Sequence, residues 1–178
     1  MGWFKRGLPP HQTALAMIGA RAGERVLFAG AAAPDLAAEV ALVTGLNGRT
    51  LVVDPAEGAR ERVERAAAEA GALVDFEAAP ATAPPVDDDS VDIVVLAIEP
   101  GGSVADVDRT VAGAALRVLR PGGRIVVRRP AKRAGLFAAR AAPDASVTDA
   151  LSRAGAVAVR HLADADDVAY FEARKARD

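Results

Sequence analysis

Residues 26–37 read VLFAGAAAPDLA, and this stretch decides the fold. The apolar run Val26-Leu27-Phe28-Ala29 has the length and residue types of a buried strand, and it stops at Gly30. Three alanines follow, then Pro34, then apolar residues at helical spacing. Strand, tight turn and helix is the reading that uses every residue. Gly30 takes backbone angles that other residues resist. Pro34 suits the first helical position, where its missing N–H costs nothing. The N–H groups of such a turn, backed by the positive end of the helix, form a seat for a negative or polar ligand. Ala31 and Ala32 are small enough to let a ligand approach the main chain. Gly30 therefore has two readings: relief of a tight turn, or close approach of a ligand.

Outward from this turn the chain repeats strand and helix. Upstream, residues 11–22 carry Leu15, Ile18 and Ala22 at helical spacing, and Gly23 ends the pattern. Residues 1–24 are thus an N-terminal helical segment before a first strand over 25–29. Downstream, the helix from Pro34 puts Leu36, Val40 and Val43 on one side and stops at Gly45. Thr50–Val53 is a second strand ending at Asp54, followed by a charged helix over 56–70 closed by Gly71. A third strand covers 73–77, a loop of Ala, Pro and Asp covers 78–90, and a fourth strand covers 91–97. Ser103 reads as a helix cap, with Asp106 three residues on as in a capping box. Val104, Val107, Val111, Ala115 and Val118 then give that helix its buried stripe. Pro121-Gly122-Gly123 turns the chain into a fifth strand over 124–127.

Residues 128–144 are basic, alanine-rich and irregular, with Pro130 and Pro143. The last helix follows Ser146, with Val147, Ala150, Leu151 and Ala154 facing in and Gly155 as stop. Residues 156–162 and 167–174 alternate as two strands around Asp164-Ala165-Asp166. Strands apolar on both faces, alternating with helices, define an α/β fold with a parallel sheet covered on both sides. The short last connection requires an antiparallel hairpin at a sheet edge. With no internal repeat or linker, residues 1–178 read as one domain.

Composition narrows the function. The chain is 51% hydrophobic but only 4% aromatic, so its core is built mainly from Ala, Val and Leu. The lack of cysteine removes disulfides, thiolate nucleophiles and cysteine metal sites. Two distant histidines, His11 and His161, speak against zinc, and no metal is expected. The net charge of -2, from 22 basic and 24 acidic residues, gives no electrostatic case for nucleic acid. No apolar run approaches the ~20 residues of a membrane span. Met1–Arg6 leads to Pro9-Pro10 and not to a signal-peptide apolar region, so a cytoplasmic protein without a membrane partner is expected. The abundance of Ala, Arg, Gly and Asp points to a GC-rich bacterial genome.

Over nearly its whole length the chain resembles class I S-adenosylmethionine-dependent methyltransferases. Four stretches carry the resemblance: VLFAGAAAPDLA (26–37) at the glycine-rich first motif, TLVVDP (50–55) at the second strand with its terminal acid, DDDSVDIVVL (87–96) at the fourth strand, and ALRVLRPGGRIVV (115–127) at the helix, turn and fifth strand. LRPGG is the most specific of these and is structural. The resemblance implies a Rossmann-like three-layer sandwich with a seven-stranded, mostly parallel sheet in order 3-2-1-4-5-7-6, strand seven antiparallel. It implies S-adenosylmethionine as cofactor, S-adenosylhomocysteine as product and a small-molecule acceptor. It also admits a homodimer, since some small members of the class complete their pocket by pairing.

By resemblance, the cofactor residues are Phe28, Gly30, Ala31, Ala32, Asp54, Pro55, Ala79 and Ala97. The chain departs from the family pattern twice. The first motif, acid-x-Gly-x-Gly-x-Gly, is here Phe28, Ala29, Gly30, Ala31, Ala32, Ala33 and Pro34, without the acid and two of the glycines. After the third strand many members place an acid against the adenine amino group, where this chain has Ala78-Ala79-Pro80. Asp54 survives, 24 positions after Gly30, at a spacing compatible with an acid that reads a ribose; its other reading is a helix N-cap. Glu99 lies in a loop after a strand, as a substrate contact or a solvated residue. His11 is surface or an acid–base group, and His161 belongs to the hairpin. Asp87-Asp88-Asp89 reads as a solvated loop. Arg128, Arg129, Lys132 and Arg133 are either a surface cluster or a receiver for an anionic substrate.

No catalytic residue is named by the sequence. Transfer from a sulfonium needs an aligned nucleophile and exclusion of water more than a triad. A partner subunit with weakened donor binding is the alternative that the departures motivate. A nicotinamide oxidoreductase would need a Gly-x-Gly-x-x-Gly fingerprint, which residues 28–35 do not supply.

Overall fold

The computed structural model describes residues 11–99, 102–131 and 145–177. The expectations that fall on 1–10, on 100–101 and on 132–144, Lys132 and Arg133 among them, lie outside the described residues. The chain runs α1 (Gln12–Ile18), β1 (Arg25–Ala29), α2 (Pro34–Thr44), β2 (Arg49–Val53), α3 (Ala59–Ala70) and β3 (Asp75–Glu77). It continues through β4 (Val91–Ala97), α4 (Arg109–Val118), β5 (Leu119–Pro130), α5 (Ala145–Arg153), β6 (Val157–Ala165) and β7 (Val168–Arg174). The seven strands form one sheet in the order β3-β2-β1-β4-β5-β7-β6. β1 to β5 are mutually parallel, and β7 is antiparallel to both β5 and β6.

Alternate residues of each strand feed two separate cores. Leu27, Leu51, Val94 and Ile125 face α4 and α5, meeting Val111, Val118, Val147 and Leu151. Val26, Phe28, Val52, Val95 and Val126 face the other way, against Ile18 of α1, Leu36 and Val40 of α2 and Val63 of α3. Helices on both faces explain why β1, β2 and β4 lack the polar alternation of a half-solvated sheet. Between β3 and β4 no helix forms among residues 78–90, and Ala81 and Val86 of that loop pack on the α4/α5-side core instead.

Several boundaries differ from expectation, each for a local reason. α1 stops at Ile18 because Gly19 takes a left-handed conformation (φ 58) and its N–H bonds Leu15 O; the apolar spacing simply ran on past this break. α3 starts at Ala59, three residues late, after Gly58 at φ 71. Val43 is 41% exposed while Leu36 and Val40 are buried, so the inward face of α2 is narrower than its apolar residues suggest. Pro121–Gly123 is not a turn before β5 but an irregularity within it: Val91 pairs with Leu119 and Ile93 with Arg124, so the chain bulges between them. The closing hairpin turns at Asp166-Asp167, both with positive φ (54 and 60), which suits the twist of its two strands.

α4 carries the most consequential difference. Its N-cap is Asp108, whose carboxylate accepts the Val111 N–H at 2.8 Å, and Ser103 does not cap it. Val104 and Val107 are buried as expected, but they belong to the segment before the helix. Asp108→Ala is expected to cost about 1 kcal/mol in urea unfolding and to speed amide exchange at Val111. Ser103→Ala should leave that exchange unchanged.

Candidate functional site

The carboxyl ends of the central strands are set by register. Ala29 pairs with Val53 on one side and Leu96 on the other, Ala97 pairs with Arg128, and Arg128 with Tyr170. Gly30 follows at φ 94, and its N–H donates to Val53 O at 2.9 Å. A Cβ built there would lie 2.9 Å from Ala97 O and 3.2 Å from Val104 Cγ2. The neighbour that requires glycine at this position is thus the backbone of β4, as well as the backbone angle itself. Pro34 opens α2 behind the turn, with Ala33 as its cap residue.

Asp54 ends β2 and is 3% exposed. A buried carboxylate is tolerable only when hydrogen bonds replace its water. Its Oδ2 accepts the Ala31 N–H and the Ser103 hydroxyl, each at 2.7 Å, and its Oδ1 accepts the Ala56 N–H at 2.8 Å. One side chain therefore ties together the β1–α2 turn, the β2–α3 turn and the segment leading into α4. It is not the cap of α3, whose cap residue is Gly58.

Beside Asp54 lies a cavity of about 230 Å³. Ala31, Ala32, Asp54 and Ala97, four of the eight cofactor positions, border it. Glu99 also borders it, from the rim. Phe28 is 1% exposed in the α1/α2-side core and does not border the cavity. Gly30 is buried and spent on the approach to β4; Pro55 is exposed, and the Ala79 N–H turns back to Glu77 O. None of these three borders the cavity. Ala56, Arg62, Gly102 and Ser103 complete the wall; the sequence points to the segment 98–103 as a pocket wall but not to Ala56 or Arg62, nor to the contact of Ser103 with Asp54. Ser103 was masked by its resemblance to a helix cap, and Arg62 gave no signal beyond its place on a charged helix.

The other candidates lie elsewhere. His11 precedes α1 without a side-chain bond to the helix. His161 sits on β6, tilted against the Phe171 ring, with Nε2 2.8 Å from Asp164 Oδ1. Asp88 pairs with Arg117 and Asp89 with Lys175, so two of the three consecutive aspartates are in ion pairs. Among the described residues no group of His, Asp and Glu is arranged to hold a metal. Arg128 and Arg129 are only partly exposed. Arg129 is 3.8 Å from Asp106, while Arg128 lies beside Tyr170 on the opposite face. Burial raises the pKa of Tyr170, and the adjacent guanidinium works against that rise.

With this geometry in hand, comparison with known proteins identifies the class. A family model described as a methyltransferase domain matches residues 26–123, more than half of the chain. The chain belongs to that family. Its fold is shared with S-adenosylmethionine-dependent methyltransferases of known structure. A SAM-dependent methyltransferase from Aquifex aeolicus is 17% identical, with 93% of this chain and 89% of that chain covered and a TM-score of 0.76. The N-methyltransferase NodS from Bradyrhizobium japonicum is 18% identical, with 94% of each chain covered and a TM-score of 0.66. The [4+2]-cyclase SpnF is also similar, at 18% identity and a TM-score of 0.67, covering 99% of this chain and 86% of that one. No curated protein sequence matches the chain. Family and fold imply S-adenosylmethionine as the cofactor, with S-adenosylhomocysteine as its product. No helix among the described residues is long and apolar enough to cross a membrane.

Two measurements probe this site without a substrate. Asp54→Ala orphans the Ala31 N–H, and is expected to cost about 1–3 kcal/mol in chemical denaturation. Tyr170 is the only tyrosine in the chain, so absorbance at 295 nm titrates it alone. Its midpoint should lie above about 10 and rise further in Arg128→Gln, which removes the charge favouring the phenolate. Because the folded pKa is the higher one, this residue's contribution to stability is full below about 10 and is lost as pH rises through the folded value.

Proposed function

We propose that the chain is a methyltransferase that holds the adenosyl donor over the Ala31–Ala32 turn and acts on a small-molecule acceptor. The observation that carries this reading is the Ser103 hydroxyl on Asp54 Oδ2. A ribose hydroxyl would donate to the same carboxylate oxygen, so a hydroxyl of this chain already stands in for one. The donor set fits the nucleoside: a carboxylate oriented by two backbone N–H groups, alanines where a larger side chain would obstruct, and an open acceptor position left on Oδ1.

When bound, S-adenosylmethionine supplies a methyl group already activated on a sulfonium, leaving S-adenosylhomocysteine when a nucleophile takes it. Asp54 would hold the ribose hydroxyls in place of Ser103. Ala31, Ala32 and Ala97 would give the adenosyl group room against the main chain. Glu99, the acid on the rim, would attract the donor's cationic end. The cavity of about 230 Å³ lies below the ~300 Å³ at which ligand pockets usually begin. Admission of the donor therefore requires Ser103 to leave Asp54 and its segment to withdraw from the cavity. Alignment and exclusion of water are then the protein's share of the catalysis.

A second reading, a partner subunit with weakened donor binding, is favoured by one feature. Leu42, Leu46 and Leu73 are 54%, 90% and 76% exposed around a groove near the C-terminal ends of α2 and α3. Such exposure suits a pairing surface.

Calorimetry with S-adenosylhomocysteine separates the readings. Ser103→Ala is expected to tighten binding by about three- to tenfold, because one hydrogen bond no longer competes. Asp54→Asn should weaken it by at least about tenfold. No heat at millimolar ligand with either the natural chain or Ser103→Ala would overturn the methyltransferase reading. A stable complex in light scattering would then favour the partner role.

A further inference from the structure

The row of residues at the carboxyl edge continues beyond the donor cavity. Ala97, which borders that cavity, is in register with Arg128 of β5, and Arg128 with Tyr170 of β7. Neighbouring strands are about 4.8 Å apart, so Arg128 stands one strand from Ala97 and about 10 Å from the end of β1. Its side chain shares the sheet face of Val126 and Tyr170, the face that α1 and α2 cover.

The chemistry of Arg128 is unusual for this position. Its Nε is buried and has no hydrogen-bond partner, although a guanidinium is a fork of five donors. Its neighbour is the Tyr170 hydroxyl, a neutral group within a 2% exposed residue. On the same face of β7, Glu172 is engaged by Arg160 at 2.9 Å and by Arg174 at 3.4 Å, and Asp166 of the hairpin turn is close enough to Tyr170 to act on its pKa. Among the described residues, no carboxylate pairs with Arg128. A structural arginine at a strand end would ordinarily be matched to an acid or to backbone carbonyls. This one is a half-buried charge with an unfilled donor, beside the donor cavity.

We infer that Arg128 and Tyr170 form the acceptor's anchor, and that the acceptor carries an oxyanion, a carboxylate or a phosphate. Arg128 pairs with the oxyanion through its guanidinium, and the Tyr170 hydroxyl adds a neutral donor that fixes the anion's orientation. The anchor sets which molecule is methylated; it does not itself take part in bond making. This inference rests on the proposed methyltransferase reading for its role, but its physical content, an anion site at Arg128, does not.

The test uses the full chain carrying ¹³C-labelled tyrosine. With one tyrosine in the sequence, the Tyr170 ring signal needs no assignment. The protein is titrated with acetate and, separately, with inorganic phosphate at constant ionic strength, with and without S-adenosylhomocysteine. The expected result is a saturating shift of the ring signal in the millimolar range, abolished by Arg128→Gln and partly kept by Arg128→Lys. Saturation by acetate alone assigns a carboxylate, and by phosphate alone a phosphate. A linear drift that is the same in the natural chain and in Arg128→Gln overturns the anion site. If the anion saturates but S-adenosylhomocysteine binds neither the natural chain nor Ser103→Ala, the site stands and its role as acceptor anchor falls.

Discussion

A buried carboxylate must be satisfied, and the arrangement of the carboxyl edge follows from how Asp54 achieves this. The carboxylate sits at the end of an apolar strand, where water is replaced by hydrogen bonds from three directions. Two come from backbone N–H groups that the fold supplies automatically, at Ala31 and Ala56. The third comes from Ser103, on a segment that has no helical reason to be there. Removing the negative charge would release that segment, and offering the charge a better hydroxyl would do the same. The group that stabilises the edge is thus the group through which a ligand would reorganise it.

The degenerate glycine motif makes sense in the same terms. Gly30 is fixed by the carbonyl of Ala97 and by its own positive φ, and both constraints belong to the protein. Ala31 and Ala32 are under neither constraint, since what they must do is remain small. Replacing the acid of the usual motif by Phe28 costs the edge nothing, because that side chain packs into the α1/α2-side core. The departures at 28, 32 and 34 therefore leave the Asp54 geometry intact.

Strand positions and the final hairpin were legible in the sequence because buried parallel strands leave continuous apolar runs, bounded here by glycines and acids; the strand order came only from the resemblance to class I methyltransferases. The LRPGG stretch and Asp54 were legible for the same reason, as punctuation at strand ends. What was not legible depends on pairs of residues far apart in the chain. Nothing local distinguishes Ser103, which binds a carboxylate 49 positions away, from a helix cap. Asp106 three residues later made the false reading stronger, while Asp108 did the capping. Arg62 enters the cavity wall from α3, and Arg128 meets Tyr170 across an antiparallel pairing. The basic cluster after β5 looked like a surface from its charge alone, whereas strand register draws its first two members partly inward. α1 ended early because a left-handed glycine outweighs an apolar period that continues through it.

Self-occupancy also bears on affinity. A ligand that must displace Ser103 binds only the fraction of molecules in which Asp54 is free, and its apparent dissociation constant rises in proportion. Ser103 thereby keeps the buried charge satisfied. An exposed acid in the same place would bind more tightly but would leave the edge held only by water. With the Ala31 turn, Asp54 and Ser103 closing on one another, the edge is held by the chain's own hydrogen bonds, and any ligand of Asp54 would bind more weakly by the work of opening that closure. In this chain, the chemistry at issue is what competes with Ser103 for Asp54 and what lies one strand away at Arg128.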